Sequence, residues 1–501
     1  MQINFGYDHF GLKNGHKTVI RMDTEKLING HFLGLGTSGV GKSVLLRDMI
    51  TQAEVWARAY LEELEIHVMD VHGDLIIENA SSVQFSEHSP YGLNPLVINP
   101  DIHFGGVRKC INRFLQVLEQ SSSKKLGVTQ EGVIRDLLTD VFREFGFDDR
   151  DPTTWSLNEV EAQLVSKGAD NRIYLEVPIA DKDTAKAFGA RWEPQKKLWW
   201  VHTENYKGEL LKWKPAFKLR TYPTLTDVIN YAKNVFEQRF FGADQKAVVA
   251  LAAVNKTAQQ LQRRRLQAMK EQRYNDKADK ELEDLLEDAK FTSISAFTES
   301  VRAIRTGEEL DFYLKYDQDV LKTVLNRLRL LETTGIYKGK APPFNPASIV
   351  RRYQLNALAP EEKKMLVLFR LQEIFNDCVQ KGPTKKIRTI VVLDELATYT
   401  TNQDADGGDG IIGVIAREAR KFGLALWAAT QTPTNVPESL ISAVGTRVII
   451  GLDERYVDGA VRQMGIDKKL IQWVQPWHTL AVQLKEAGSV KNKWWWTQIR
   501  L

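Results

Sequence analysis

At residues 36–43 the sequence reads Gly36-Thr37-Ser38-Gly39-Val40-Gly41-Lys42-Ser43, and this stretch decides the fold of the 501-residue chain. It has the pattern GxxxxGK[ST]. The apolar run His31–Leu35 before it predicts a buried strand, and Val44–Ile50 after it predicts a helix. In that context the glycines let successive N–H groups turn inward, and the helix N-terminus adds partial positive charge, so the loop binds phosphate. The alternative is a chance glycine-rich turn, which both flanks disfavour.

The same loop predicts a bound nucleotide together with a divalent ion. Lys42 is expected to reach the β- and γ-phosphates, and the Ser43 hydroxyl is expected to ligate Mg²⁺. Backbone groups of residues 36–44, ending at Val44, would form the rest of the phosphate cradle. We therefore expect ATP and Mg²⁺ as the cofactors.

A second apolar run supplies the carboxylates that such a loop requires. Ile390–Leu393 is mostly β-branched and predicts a buried parallel strand, which would place Asp394 and Glu395 at its carboxyl end, where ligands bind. Asp394 is expected to hold the Mg²⁺ shell, and Glu395 to orient and polarise the attacking water. The alternative is a strand that ends in a solvated acidic pair. Together the two patterns are Walker A and Walker B motifs and predict an ATP hydrolase.

A third apolar run, Leu424–Gln431, predicts another strand that ends in a polar residue. Gln431 would sense the γ-phosphate through a hydrogen bond. The preceding segment contains Arg417 and Arg420 and predicts a basic helix end, stopped by Gly423. Two interpretations of these arginines stay open. They match the negative end of the helix dipole, or one of them is a finger that reaches the ATP of a neighbouring subunit.

These runs resemble the HerA/FtsK superfamily of ring-forming motors. The residues that carry the resemblance are Arg417-Glu418-Ala419-Arg420-Lys421-Phe422-Gly423 and Ala429-Thr430-Gln431, after the strand that ends in Leu393-Asp394-Glu395. It is closest to HerA-type proteins and to the ATPases of conjugative type IV secretion. The resemblance implies that Gln431 is the sensor and that Arg420 acts in trans, with Arg417 as the second candidate. It also implies that Asp70, after Ile66–Met69, is structural.

The fold expected from these motifs is α/β, with a RecA-like P-loop core that carries an all-helical insertion and a small mixed α/β insertion. About 350 residues separate the two Walker motifs, far more than a compact core needs. Periodicity and composition predict core segments at 1–106 and 345–501, helical segments at 107–168 and 219–344, and a small domain at 169–218. Residues Gln259–Lys290 carry charges of both signs, typical of a solvated helical face, with contact to DNA or a partner as the alternative.

Residues 169–218 differ in character from the rest. A short strand leads to a helix at Asp181–Phe188 and a second strand at Leu198–Val201. This resembles a small domain appended to plasmid primases and other DNA enzymes. Basic and aromatic residues there would neutralise phosphates and stack on bases: Lys182, Lys186, Arg191, Trp192, Lys196, Lys197 and Trp199. The alternative is that the tryptophans form the core of a domain too small to close otherwise. Alternation at Trp494-Trp495-Trp496 predicts an edge strand.

Composition sets outer bounds on the function. Hydrophobic residues make up 43% and charged residues 26%, as in soluble globular proteins, and a net charge of only +4 makes any DNA contact depend on local patches. Cys110 and Cys378 have no metal-ligand spacing and fit a reducing compartment. With no long apolar run and no signal-peptide pattern, we expect a cytoplasmic protein without direct membrane insertion, held at the inner membrane only through a partner.

Two functions stay open. In the first, a homo-oligomeric ring, expected to be a hexamer, hydrolyses ATP to translocate DNA. In the second, the ATPase energises protein secretion or conjugative assembly, or regulates a partner effector, for example of a defence system, without moving DNA. Stimulation of turnover by DNA separates them. A nucleotide-gated scaffold is disfavoured by Glu395, because a pure switch needs no water-polarising acid. The sequence contains no HExxH or GxSxG pattern, which excludes a metalloprotease and a serine hydrolase.

Overall fold

The computed structural model describes residues 1–121, 126–157, 172–178, 181–193, 198–202, 205, 207–213, 221–241, 245–271, 276–303, 316–400, 410–432, 436–489 and 492–498. They form two compact units. The first contains residues 1–125, 146–222 and 333–501, and the second contains residues 126–145 and 223–332. The finer boundaries expected at 106, 168, 218 and 344 stay predictions.

The strands along the chain are β1 (Gln2–Asp8), β2 (Val19–Asp23), β3 (Phe32–Gly36), β4 (Glu65–Asp70), β5 (Ser81–Gln84), β6 (Arg172–Leu175), β7 (Arg191–Glu193), β8 (Leu198–His202), β9 (Val350–Gln354), β10 (Thr384–Leu393), β11 (Phe422–Thr430), β12 (Thr446–Gly451), β13 (Thr479–Leu484) and β14 (Trp494–Gln498). Eleven of them form one sheet in the order β2-β1-β14-β13-β12-β3-β11-β10-β4-β9-β5. From β12 to β5 the neighbours are parallel, whereas β12 to β2 are antiparallel. The carboxyl ends of β3, β4, β10 and β11 therefore lie at one edge of the sheet.

The α-helices are α1 (His9–Lys13), α2 (Lys42–Tyr60), α3 (Val107–Ser121), α4 (Val128–Glu144), α5 (Lys182–Ala187), α6 (Leu225–Phe241), α7 (Gln245–Glu271), α8 (Asp276–Ala303), α9 (Gln318–Thr333), α10 (Pro360–Gln380), α11 (Ile411–Glu418), α12 (Glu438–Ala443), α13 (Glu454–Met464) and α14 (Lys468–Ile471). In the residues that the structure describes, no helix is both long enough and apolar enough to cross a bilayer.

Helices cover both faces of the large sheet. Ile390 and Val392 of β10 belong to an apolar cluster with α2, whereas the alternate residues Val391 and Leu393 face the other side of the sheet. On that opposite face, the Cys378 thiol of α10 lies 3.4 Å from the Thr389 hydroxyl of β10. Since alternate residues of a strand face opposite sides, α2 and α10 enclose the sheet between them.

The cluster beneath α2 explains why this helix forms where it does. Its apolar residues Leu46, Met49 and Ile50 recur at helical spacing and are fully buried. Burial of each such side chain stabilises the fold by about 1.5–3 kcal/mol. The indole of Trp427 in β11 lies in the same cluster and donates a hydrogen bond to the Gly30 carbonyl at 3.1 Å. The helix that begins at the phosphate loop is thus fixed to the central strands.

The small domain has a separate antiparallel sheet in the order β6-β8-β7. Its own apolar core consists of Leu175, Ala185, Ala190, Val201, Leu210 and Trp213. The indole N–H of Trp213 donates a hydrogen bond to Asp181 Oδ2 at 3.0 Å, so this buried residue has a partner for its polar group. The strand, helix and second strand expected from the sequence are all present, as β6, α5 and β8.

The second unit is helical in the segments that the structure describes, with α4, α6, α7, α8 and α9. Part of the charge of Gln259–Lys290 is satisfied between α7 and α8. Arg264 pairs with Asp279 at 3.2 Å, and Arg265 pairs with Glu283. The choice between a solvated helical face and contact with DNA or a partner stays a prediction.

The edge position expected for the tryptophan strand is wrong. β14 lies inside the sheet, between β13 and β1, with Tyr7 of β1 opposite Gln498. Trp494 and Trp496 are buried, while Trp495 is partly buried. The alternation of residues 494–496 correctly predicts a strand. It cannot show that this strand pairs with β1, which lies nearly 500 residues earlier in the sequence. β2 and β5 are the edges instead.

Candidate active site

The phosphate loop has the backbone that its glycines predict. Gly39 and Gly41 have positive φ angles of 79° and 100°, and α2 starts at the next residue. A Cβ on Gly36 would lie 2.7 Å from a methyl of Val40, so no larger residue fits there. The loop is anchored to β12, because the Thr37 N–H donates to the Gly451 carbonyl at 2.9 Å.

The Lys42 side chain folds back over this loop. Its ammonium donates to the carbonyl oxygens of Gly36 at 2.9 Å and Thr37 at 3.2 Å. Burial lowers the pKa of Lys42, while Glu395 and Asp394 act in the opposite direction. The ammonium therefore lies within the electrostatic reach of both predicted carboxylates, as the two Walker motifs require.

Asp394 and Glu395 follow β10 at the carboxyl edge and are only 2% and 9% exposed. Burial, with the nearby charges of Asp74 and Asp70, raises the pKa of Asp394 to about 7. Asp394 Oδ2 and Glu395 Oε2 are buried and find no hydrogen-bond donor within the described residues. Unpaired carboxylate oxygens of this kind suit a cation or a water held by a ligand.

Glu395 is fixed through its other oxygen. Oε1 accepts a hydrogen bond from the Thr430 hydroxyl at 2.9 Å and from the Gln431 N–H at 3.3 Å. Both donors belong to the end of β11, the strand next to β10. One carboxylate oxygen is thus held in place and the other is left without a hydrogen-bond donor among the described residues, an arrangement that suits a general base.

The oxygen ligands for a divalent ion lie beside the start of α2. Carboxylate oxygens of Asp70, Asp74 and Asp394 lie within 4.8 Å of one another, and the Ser43 hydroxyl donates to Asp74 Oδ2 at 3.0 Å. Asp70 is already engaged by Arg352, so Ser43, Asp74 and Asp394 are the donors that fit Mg²⁺. Asp74 is not among the residues predicted from the sequence, although an acid four residues beyond the end of β4 is an available signal.

Asp70 has the structural role that the resemblance implies. It is fully buried and accepts two hydrogen bonds from the Arg352 guanidinium of β9, at 2.8 and 2.5 Å. Its second oxygen accepts from the Gly73 N–H at 2.7 Å, and Arg352 also reaches the Gly73 carbonyl. The turn that presents Asp74 is therefore held by a buried ion pair.

One cavity of about 330 Å³ brings these groups together. Six of the nine predicted loop residues line it, whereas Gly36, Thr37 and Val40 are not among its lining residues. Lining side chains and backbone come from Ser38, Gly39, Gly41, Lys42, Ser43, Val44, Arg47, His72, Asp74, Asp394, Glu395, Gln431 and Trp477. The prediction that Lys42, Glu395 and Gln431 meet in one place is consistent with this arrangement, and their catalytic roles stay predictions.

Trp477 is a lining residue that sequence reasoning missed, since no motif marks it. Its indole N–H donates to the Gly39 carbonyl at 3.2 Å. The ring lies 3.5 Å from the position that a Cβ on Gly41 would occupy. Its backbone is left-handed, with φ of 68°, a conformation that a bulky residue seldom adopts. Both contacts hold the two glycines whose conformation shapes the phosphate cradle.

Arg417 and Arg420 lie at the amino-terminal ends of the central strands, opposite the ends that carry the phosphate loop and the two acids. Both are exposed and line a separate cavity of about 1000 Å³ at the start of β10 and β11. The nine residues of β11 lie between Arg420 and Gln431, a distance of about 25–30 Å at ~3.3 Å per residue. Neither arginine reaches the phosphate cavity of its own chain, so any action on a nucleotide requires another copy.

The predicted nucleic-acid residues are divided by their surroundings. Trp192 is 46% exposed, and Lys182, Lys186 and Arg191 are exposed as well. Trp199 is half-buried and packs against the small core. Lys196 and Lys197 lie outside the described residues.

Comparison with known proteins agrees with this geometry. A family model described as a domain of unknown function (DUF5710) matches residues 172–215. The chain is 29% identical over 100 residues to the DNA double-strand break repair helicase HerA of Pyrococcus furiosus, which is 19% of this chain and 18% of that protein. It is 23% identical over 168 residues to a probable helicase of Methanocaldococcus jannaschii, 30% of this chain and 32% of that protein. VirB4 of Thermoanaerobacter pseudethanolicus matches over 100% of this chain and 96% of its own, with TM-score 0.54 and 12% identity.

The core sequence is similar to that of HerA-type proteins, and the fold resembles that of P-loop ATPases. The central order β12-β3-β11-β10-β4, with the phosphate loop after β3, confirms the predicted α/β class and RecA-like core. The resemblance to HerA-type proteins is likewise confirmed. The matched region spans a third or less of each curated relative. The resemblance of the small domain to a primase-attached domain stays a prediction.

The raised pKa of Asp394 predicts a pH dependence of stability in protein free of nucleotide and Mg²⁺. The folded chain holds a proton at Asp394 up to about pH 7, whereas an unfolded aspartate loses it near pH ~4. The stabilisation of the folded state by protonated Asp394 is therefore complete below about pH 4 and is lost as pH rises through about 7. We expect Asp394→Asn to unfold at a higher temperature than wild type at about pH 8 and to show a flatter pH profile in thermal scans. Exposed Asp183→Asn is the control. Equal profiles for Asp394→Asn and wild type would refute the assignment.

Trp477 is predicted to support nucleotide binding. Trp477→Ala removes both the hydrogen bond to Gly39 and the ring on Gly41, and should weaken binding of a fluorescent ATP analogue by at least fivefold, equivalent to about 1 kcal/mol. Trp477→Phe keeps a ring without the N–H and should lie between Ala and wild type. Trp473→Ala is the matched control, since Trp473 is 39% exposed against 43% for Trp477 but does not line the cavity. Unchanged affinity in Trp477→Ala contradicts the prediction.

Proposed function

We propose that this chain hydrolyses ATP with Mg²⁺ and uses the energy as a motor on DNA. One observation carries the hydrolysis: Lys42, Asp394 and Glu395 line a single cavity although about 350 residues separate the first from the other two. A loop of amides and one ammonium would bind the triphosphate. The carboxylate pair would lie beside the terminal phosphate and the attacking water.

The proposed roles follow from the contacts of each residue. Ser43, Asp74 and Asp394 would hold Mg²⁺, which supplies charge neutralisation of the phosphates when bound. Glu395, held by Thr430, would orient the attacking water and accept its proton through the unpaired Oε2. Gln431 would hydrogen-bond the γ-phosphate from the neighbouring strand end.

We infer a homo-oligomeric ring, and a hexamer by resemblance, from the position of the arginines. Both arginines lie at the edge opposite their own cavity, and the resemblance makes Arg420 the preferred finger and Arg417 the second. A neighbouring copy in a ring would bring that edge to the nucleotide of the next subunit. The arginine would then neutralise charge that develops on the transferred phosphate.

DNA is the proposed substrate because the matched relatives are named as helicases. The small domain, with Lys182, Lys186, Arg191, Trp192 and Trp199, is the proposed contact, and Lys196 and Lys197 belong to the same sequence run. The alternative is an ATPase that energises secretion or conjugative assembly, or regulates a partner effector. The VirB4 likeness concerns the fold alone and does not choose between them.

ATP turnover with no DNA, with single-stranded DNA and with duplex DNA at one fixed salt concentration tests this function. Wild type should hydrolyse ATP and be stimulated several-fold by one form of DNA. Glu395→Gln should lose about 10²- to 10⁴-fold in turnover while still binding the nucleotide. Exposed Glu361→Gln on α10 is the matched control. Turnover indifferent to both DNA forms favours the alternative, and an active Glu395→Gln removes the assigned base.

A mixing experiment tests the arginine in trans. Arg420→Ala and Lys42→Ala should each be inactive alone, but a mixture should recover activity, because an Arg420→Ala site beside a Lys42→Ala subunit is complete. A mixture of Lys42→Ala with Glu395→Gln should recover none, since every site then carries its own defect. If Arg417→Ala is rescued by mixing and Arg420→Ala is active alone, Arg417 is the finger. Absence of rescue for both arginine variants argues against action in trans.

A further inference from the structure

The small three-stranded domain carries a cavity beside its own core. About 690 Å³ in volume, it is enclosed mainly by Val177, Pro178, Trp192, Leu198 and Trp199. This volume falls within the ~300–1,000 Å³ typical of small-molecule sites. The cavity borders the core, since Leu175 lines it and Val177 and Trp199 pack against the core, whereas Pro178, Trp192 and Leu198 are not core residues.

Trp192 is placed to bind a ligand and is not needed to pack the core of the small domain. It is 46% exposed on β7, an edge strand of the small sheet, and it is absent from the core cluster. Its ring meets Trp199 edge to face, with centroids 5.6 Å apart, and the two residues are cross-strand partners. A half-exposed indole fixed against a second indole forms a rigid aromatic wall to the cavity.

The positive net charge of residues 172–215 favours an anionic partner. Residues 172–215 contain nine Lys and Arg against six Asp and Glu, a net charge of +3, while the whole chain has only +4. Among the described residues, two of the acids are engaged within the domain. Glu193 accepts from the Tyr174 hydroxyl at 2.7 Å, and Asp181 accepts from the Trp213 indole.

The basic side chains remain available beside the cavity. Lys182 lines it together with one acid, Glu176, and Lys186 follows one turn later on α5. In the described part of the chain neither lysine forms an ion pair. Excess positive charge next to an aromatic wall is the combination that binds a nucleic-acid backbone and its bases together.

We propose that this cavity binds an unpaired base of single-stranded nucleic acid, with the base against Trp192 and the adjoining phosphates near Lys182 and Lys186. The proposal extends the proposed action on DNA by naming the strand form and the place of contact. A duplex fits less well, because its bases are already stacked on both faces and cannot enter a recess without unpairing. Stacking tolerates any base, so little sequence preference is expected.

Fluorescence anisotropy of a labelled oligo(dT), measured with the full chain and without nucleotide, tests the site. Wild type should bind the single strand more tightly than a duplex of equal length, and Trp192→Ala should weaken single-strand binding about tenfold. Phe188→Ala is the matched control, because Phe188 is 45% exposed on the same domain but does not line the cavity, and its affinity should equal wild type. Lys182→Gln should reduce the salt dependence of binding.

Three results would overturn the proposal. Trp192→Ala could bind the oligonucleotide as wild type does, or Phe188→Ala could lose as much affinity as Trp192→Ala. Alternatively, a proline-rich peptide could bind in a Trp192-dependent way while the oligonucleotide does not, which assigns the wall to a protein partner. Equal thermal unfolding of the variants and wild type excludes a folding defect as the cause.

ATPase assays separate this proposal from the motor function. If a single strand binds in a Trp192-dependent way but does not stimulate ATP turnover, the binding site is supported and the proposal of DNA translocation is refuted. Turnover stimulated by DNA in both wild type and Trp192→Ala, with equal affinities, supports the motor and removes this site.

Discussion

Two carboxyl groups and one ammonium group are withdrawn from water at the carboxyl edge of the large sheet. Lys42, Asp394 and Glu395 are each less than a tenth exposed, and such burial is costly unless the charges offset one another. The ammonium is compensated by two loop carbonyls, but one oxygen of each acid is left without a donor in the described structure. The site is therefore arranged for a ligand that brings both phosphate and cation, and the neighbouring strands serve to hold it in that arrangement.

Support for these charges comes from parts of the chain that have no motif. Arg352 on β9 fixes Asp70 and the following turn, and Thr430 on β11 fixes Glu395. Trp477, from the connection before β13, packs on the phosphate loop itself. Each contact joins residues that are distant in sequence but neighbours at one sheet edge. The geometry of the cavity thus depends on the parallel pairing of the central strands.

The sequence predicts what depends on local chemistry. The phosphate loop needs glycines with positive φ next to a helix start, and the carboxylate strand needs a β-branched run before its acids, so both were identified from residues 36–44 and 390–395. The order in which strands pair is not a local property. β14 was therefore placed at an edge when it lies between β1 and β13. Asp74 and Trp477 were overlooked for the same reason, because only folding brings them to the loop.

The strand order also has a consequence for synthesis of the chain on the ribosome. β3, which leads into the phosphate loop, pairs only with β11 and β12, and β12 begins about 410 residues after β3 ends. At about 5–20 residues per second, translation takes roughly 20–80 s to produce those partners. Throughout that interval the apolar side of α2 has no completed sheet to cover it. β1 can pair early with β2, but its other neighbour, β14, is made later than β12. We expect nascent chains of this topology to engage a holding chaperone until β11 to β14 have been made.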